Sequence, residues 1–120
     1  SSSPAGSDVV RPTSEAFDQF RAQVETDFAQ HRSVALYAER LGYSSRTLNR
    51  VAQAGAGLSA KDLIDRRVIL EAKRLLAHET VPASDVAARL SFEDPANFSA
   101  YFRARTGMSP GAFRRHVRPD

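Results

Sequence analysis

Cysteine is missing from this chain of 120 residues. That excludes disulfides, thiolate metal sites, a cysteine nucleophile and redox sensing through thiols, and it fits a reducing cytoplasm. No run approaches the ~18 apolar residues that mark a candidate membrane-spanning helix. No basic stretch followed by an apolar one marks a secretory leader. Methionine occurs once, at Met108, so the sequence is expected to be a piece of a longer product with something preceding Ser1. The three histidines, His31, His78 and His116, have no partner at metal-ligand spacing. No glycine-rich phosphate loop is present, and no strand-period segment could host one. Neither metal nor cofactor is expected. The serines that can be placed are helix caps, and no enzymatic activity is expected.

Lysine is nearly absent as well. Of the 17 basic residues 15 are Arg, and only Lys61 and Lys73 are Lys. Residues 1–60 carry 6 basic and 6 acidic side chains, whereas residues 61–120 carry 11 and 8, so the whole +3 surplus lies in the second half. An Arg-rich surplus on one half favours a polyanionic partner.

Apolar residues make up 42% of the chain, enough to bury a core. Residues 1–13, rich in Ser, Pro and Gly, read as a flexible linker or a cloning remnant, and residues 14–120 as the folded domain. Phe17, Phe20, Val24 and Phe28 recur at helical steps. Glu15, Asp18, Glu25 and Asp27 make that first helix a support rather than a surface for an anion. A short helix with Val34, Tyr37, Ala38 and Leu41 follows, stopped at Gly42. Ser44 or Ser45 caps the next helix, with Leu48, Val51 and Ala52 apolar and a stop at Gly55 and Gly57. A long helix over 59–79 carries Ile64, Val68, Ala72, Leu75 and Leu76 inward. Pro82 opens another short helix through Leu90. Asp94-Pro95 and Ser109-Pro110 each pair a cap with a proline at the first helical position. The fold class is all-α, with about seven helices.

The chain repeats itself. Ala38, Leu41 and Tyr43 align with Ala87, Leu90 and Phe92. After one inserted residue, Pro95, Leu48, Val51, Gly57, Ser59 and Leu63 align with Phe98, Tyr101, Gly107, Ser109 and Phe113. Each unit is a short helix, a tight turn, a second helix and a glycine stop, which is helix-turn-helix geometry. The units span 33–54 and 82–106, joined by the long linker helix. That helix, about 30 Å long, is on the scale of the ~34 Å between successive major grooves on one face of DNA.

The segment LSFEDPANFSAYFRARTGMSPGAFRR (90–115) resembles the signature of the AraC/XylS family of bacterial transcription regulators, and DRRVILEAKRLLAHE (65–79) is similar to its linker helix. The resemblance covers residues 17–115. It implies a two-lobed DNA-binding domain that inserts two recognition helices into adjacent major grooves of double-stranded DNA. It also implies a separate effector or dimerisation domain, often N-terminal, contact with RNA polymerase, no membrane, and a place on the nucleoid in the bacterial cytoplasm.

In the first unit, Arg46, Asn49 and Arg50 match the family's groove-facing positions, and helical spacing adds Gln53 to their face. Arg can grip guanine O6 and N7 with two bonds, and Asn can do the same to adenine N6 and N7. In the second unit Ala100 stands where many members have Arg. Asn97, Ser99 and Arg103 remain as base readers, and Asp94 is expected to be a cap. This head should rely more on phosphate contacts and DNA shape. Ser91 replaces the family's usual glycine before the aromatic, which strains the turn. Phosphate contacts are expected from Ser44, Arg66, Arg67, Lys73, Arg114 and Arg115, with Arg103 a candidate for that role as well. Neutralising five to six phosphates would give a salt slope near −5. The rival readings are a helical protein-interaction module and a non-specific DNA binder.

Overall fold

The computed structural model describes residues 5–118, with side chains from Ser14 onward. Among the described residues every regular element is a helix, and there are seven, so the expected all-α class holds. They are α1 (Ala5–Asp27), α2 (Val34–Leu41), α3 (Ser45–Ala56), α4 (Ala60–His78), α5 (Ala83–Arg89), α6 (Pro95–Thr106) and α7 (Pro110–Val117). The chain divides into two compact units, 1–65 and 66–120, with the division inside α4. No helix among the described residues is long and apolar enough to cross a membrane.

The first unit packs α1, α2, α3 and the first turns of α4. Ala16, Phe20 and Val24 form one stripe of α1, and Leu48, Val51 and Ala52 one stripe of α3. With Tyr37, Ala38, Ala60 and Ile64 these residues are buried. Each large apolar side chain so buried contributes about 1.5–3 kcal/mol. The Phe20 and Tyr37 rings meet edge to face at 5.9 Å. The Tyr37 hydroxyl donates to the carbonyl of His31 at 2.8 Å. Two expectations are corrected here. Helix α1 begins at Ala5, inside the stretch read as a linker up to Thr13. Proline removes a single donor from the ladder, and α1 continues past Pro12; residues 1–4 lie outside the described residues. Gly55 does not end α3, which runs on to Ala56 before Gly57 closes it at φ 70°.

The second unit packs the rest of α4 with α5, α6 and α7. Val68, Ala72, Leu75, Leu76, Val86, Ala87, Leu90, Phe98 and Phe102 are buried. Aromatic rings run through this core: Phe92 to Phe98 at 5.2 Å, Phe98 to Phe102 at 5.8 Å, and Phe102 to Phe113 at 5.6 Å. Phe20, Phe98 and Phe102 are therefore core residues. Asp94 caps α6 through the Asn97 N–H at 2.8 Å, and Ser109 caps α7 through the Ala112 N–H at 3.1 Å. Pro82 sits at the N-cap position of α5, one residue before the helix rather than at its start.

Candidate nucleic-acid interface

The α2–α3 unit is held at its turn by backbone geometry. Gly42 takes φ 80°, a left-handed angle that favours glycine, and its N–H bonds back to α2. The Tyr43 N–H reaches the Ala38 carbonyl at 2.9 Å, and the Tyr43 hydroxyl donates to Gln19 Oε1 of α1 at 3.0 Å. Ser44 caps α3 by accepting the Thr47 N–H at 3.0 Å. These contacts fix the start of α3 against its own unit.

The α5–α6 unit repeats the device. Phe92 N–H reaches the Ala87 carbonyl at 2.9 Å, the same bond at the aligned residues. Ser91 occupies the Gly42 position at φ 64°, the only non-glycine residue with positive φ among the described ones. The strain expected of a serine there is present. The internal duplication is thus a duplication of backbone bonds as well as of apolar residues.

Helix α3 has two faces. Leu48 and Ala52 are fully buried and Val51 nearly so. Arg46, Asn49, Arg50 and Gln53 are exposed on the opposite face, as the spacing predicts. No carboxylate lies on α3, so the face is cationic. Among the described residues the side chains of Arg46, Arg50 and Gln53 make no hydrogen bond or ion pair. Asn49 differs: its Oδ1 accepts the backbone N–H of Ala60 at 2.9 Å. Its acceptor is used within the protein, a commitment that no local spacing rule signals at a separation of 11 residues.

On α6, Asn97, Ala100 and Arg103 are exposed and Ser99 is half-buried. Arg105 lies 3.8 Å from the Tyr101 ring centroid and donates to the Tyr101 carbonyl at 3.2 Å. Asp94 is the cap that the sequence suggests.

Arg103 aside, the six residues expected at phosphates separate into two groups. Arg66 and Arg115 are exposed, and no side-chain bond joins either to another described residue. The Asp62–Arg66 pairing that the spacing allows does not form; Lys61 pairs instead with the buried Asp65 at 2.8 Å. Ser44 is occupied as a cap and also donates to Thr47 Oγ1 at 3.0 Å. Arg67 lies 4.0 Å from Glu71. Lys73 stands over the Phe113 ring at 5.8 Å. Arg114 donates to the carbonyls of Leu76 at 3.0 Å and Glu79 at 3.1 Å. It satisfies the C-terminus of α4, where a helix leaves carbonyls without internal partners. Arg118 adds a third such bond, to Glu79 at 2.7 Å.

A group of acidic side chains lies on α1. Glu15, Asp18 and Glu25 are exposed on α1, where an open groove of about 300 Å³ is lined by Asp18, Arg21, Ala22, Val24, Glu25 and Leu63. Its two carboxylates disfavour a polyanion. Asp27 is buried and held by Arg40 at 2.9 Å and Gln23 at 2.6 Å. Burial pushes the nearby Tyr37 phenol up to about 12, helped by the Asp27 charge and opposed by Arg40. The Arg74 hydrogen bonds hold the Glu71 carboxyl below its ordinary value, against a lesser upward push from burial. No cluster of three or more His, Cys, Asp or Glu that could hold a metal occurs among the described residues.

A profile described as a helix-turn-helix domain matches residues 37–116. The HTH-type transcriptional activator RhaS of Enterobacter sp. (strain 638) is 32% identical over 97 residues, covering 81% of this chain and 35% of RhaS. The Escherichia coli (strain SE11) RhaS is 32% identical over 93 residues, covering 78% of this chain and 34% of its own. The chain thus spans about a third of the length of these curated relatives. Among solved structures, the C-terminal domain of AraT, a response regulator from Geobacillus stearothermophilus, superposes with TM-score 0.77 at 25% identity, covering 84% of both chains. The DNA-binding domain of AdpA, a global transcriptional factor solved in complex with a target DNA, superposes with TM-score 0.74 at 27% identity. That match covers 88% of this chain and 97% of the AdpA domain.

Proposed function

Since the chain belongs to the AraC/XylS family of transcription regulators, as its helix-turn-helix DNA-binding domain, we propose that it reads double-stranded DNA chiefly through α3. Arg46 and Arg50 reach base edges in a major groove and Gln53 supports them. The observation that carries this reading is the outer face of α3: two arginines and a glutamine, exposed and without a bond to any described residue, above a stripe of fully packed apolar side chains. Side chains with no internal commitment keep their donors for guanine.

Helix α6 contributes less sequence reading. Asn97, Ser99 and Arg103 are its donors, and Ala100 offers only a methyl. Phosphate contacts come from Arg66, Arg103 and Arg115, together with the N-terminal N–H groups of the recognition helices. Ser44 takes part through the helix end that it caps rather than through its hydroxyl. Arg67, Lys73 and Arg114 serve the second unit's own packing. In the whole regulator this domain acts on the nucleoid in the bacterial cytoplasm, beside an effector or dimerisation domain, in contact with RNA polymerase and without catalytic activity. The family resemblance and the greater length of the RhaS relatives support that arrangement.

Selection of this chain against a random-sequence duplex library, at low and physiological salt, tests the reading. Two enriched boxes support readout by both helices. A single box reduces α6 to phosphate contacts. Salt-sensitive binding without enrichment would make the chain a non-specific binder, and no binding at any salt would favour a protein-interaction module.

A further inference from the structure

Asn49 is exposed on the outer face of α3 between two arginines that are free to meet DNA, yet its Oδ1 is committed to the N–H of Ala60 at 2.9 Å. Ala60 is fully buried and is the first residue of α4. Its N–H is among the donors that a helix cannot satisfy internally. Ser59 already serves the Asp62 N–H at 3.1 Å, which leaves the Ala60 donor to Asn49. A side chain of the recognition helix thereby caps the following helix, within the first unit.

We infer that Asn49 is a positioning residue: it seats α3 on the first turn of α4, sets the angle at which Arg46 and Arg50 meet the bases, and reads no base itself. The inference rests on the DNA-reading function proposed above. Reading adenine with two bonds requires Oδ1 to accept from N6 while Nδ2 donates to N7. Freeing Oδ1 would strand a buried N–H, a penalty of the same order as the discrimination that such a base contact provides. Arg46 and Arg50 face no such competition. Asn49 therefore holds the middle of α3, while Ser44 and Tyr43 hold its start.

The test combines amide exchange with base analogues on the whole chain. Asn49→Ala is expected to speed exchange of the Ala60 amide about tenfold or more. Asn49→Asp keeps the acceptor and is expected to keep that protection, although its charge weakens binding to any duplex. Against the selected box, Asn49→Ala is expected to lose affinity about tenfold, with discrimination at the positions read by Arg46 and Arg50 falling together. Replacing each adenine in turn by 7-deazaadenine should then weaken wild type and Asn49→Ala by the same factor. One adenine whose replacement weakens wild type about tenfold but leaves Asn49→Ala untouched would overturn the inference, because it would show a direct N7 contact. An unchanged Ala60 exchange rate in Asn49→Ala would overturn it as well. Failure of the wild type to bind any duplex would instead overturn the DNA-reading function, and the role of Asn49 in recognition with it.

Discussion

The Phe17 ring lies against the backbone of Gly55, so close that a single methyl group on Gly55 would fall within the ring. Helix α1, which has no side chain suited to a polyanion except Arg21 in its described part, thereby fixes the end of the helix whose arginines face outward. The glycine is at an ordinary helical angle, not a left-handed one. What it supplies is close approach, and its cost in helix propensity, about 1 kcal/mol against Ala, is offset by packing.

Gly55→Ala should therefore destabilise the domain by about 1–3 kcal/mol through overpacking, despite the better propensity of Ala. In a Phe17→Ala background the clash is gone, and Gly55→Ala should become stabilising by up to about 1 kcal/mol. Denaturant titration of the four proteins measures the sign change. A destabilising effect in both backgrounds would refute the contact.

Arg46→Ala and Arg50→Ala should each weaken binding to the selected duplex by about 1–3 kcal/mol while leaving the melting temperature unchanged, since neither side chain bonds to another described residue. Asn97→Ala and Arg103→Ala should weaken it less. Competition binding with the box for each head compares the four variants, and a larger effect at α6 than at α3 would reverse the assignment of the stronger head.

Arg114 and Arg115 are neighbours with opposite expectations. Arg114→Ala removes the bonds to the Leu76 and Glu79 carbonyls and should cost about 1–3 kcal/mol of stability with an unchanged salt slope. Arg115→Ala should leave stability unchanged and reduce the slope by about 1. With Arg66, Arg103 and Arg115 as the main phosphate contacts, the wild-type slope should be about −3 rather than the −5 expected from sequence. Salt titration of binding beside thermal melts separates the two residues.

Tyr37 should ionise late. Its phenol is pushed up to about 12, whereas an exposed tyrosine titrates near 10. The folded form therefore holds the Tyr37 proton where the unfolded chain has begun to lose it. The contribution is complete below about pH 10 and is lost as pH rises toward 12. Tyrosinate absorbance should show a late component that Tyr37→Phe removes. An absorbance curve that Tyr37→Phe leaves unchanged at high pH would contradict the burial and the bond to His31.

The order of the helices was legible because their signals are local. Ser44, Asp94 and Ser109 cap through bonds three residues long, Gly42, Gly57 and Gly107 stop helices by their own backbone angles, and Leu48, Val51 and Ala52 repeat at the helical period. Proline misled at Pro12, where the helical run extends beyond the local signal. The outward face of α3 was legible for the same reason as its buried one, since one period sets both.

The sequence by itself determined the class, the duplicated unit and the cationic face. Tertiary structure alone decided which of the candidate polar side chains remain available. Asn49, Arg67, Lys73 and Arg114 had the same standing as Arg46, Arg50, Arg66 and Arg115 by residue type and spacing. Arg67 and Lys73 are taken by Glu71 and by the Phe113 ring. Asn49 and Arg114 are taken because helix ends leave backbone donors and acceptors unpaired, and the chain brings Asn49 to α4's first N–H and Arg114 to its last carbonyls across separations of 11 and 38 residues. Burial makes an unpaired backbone group expensive, and folding takes the nearest side chain able to pair it.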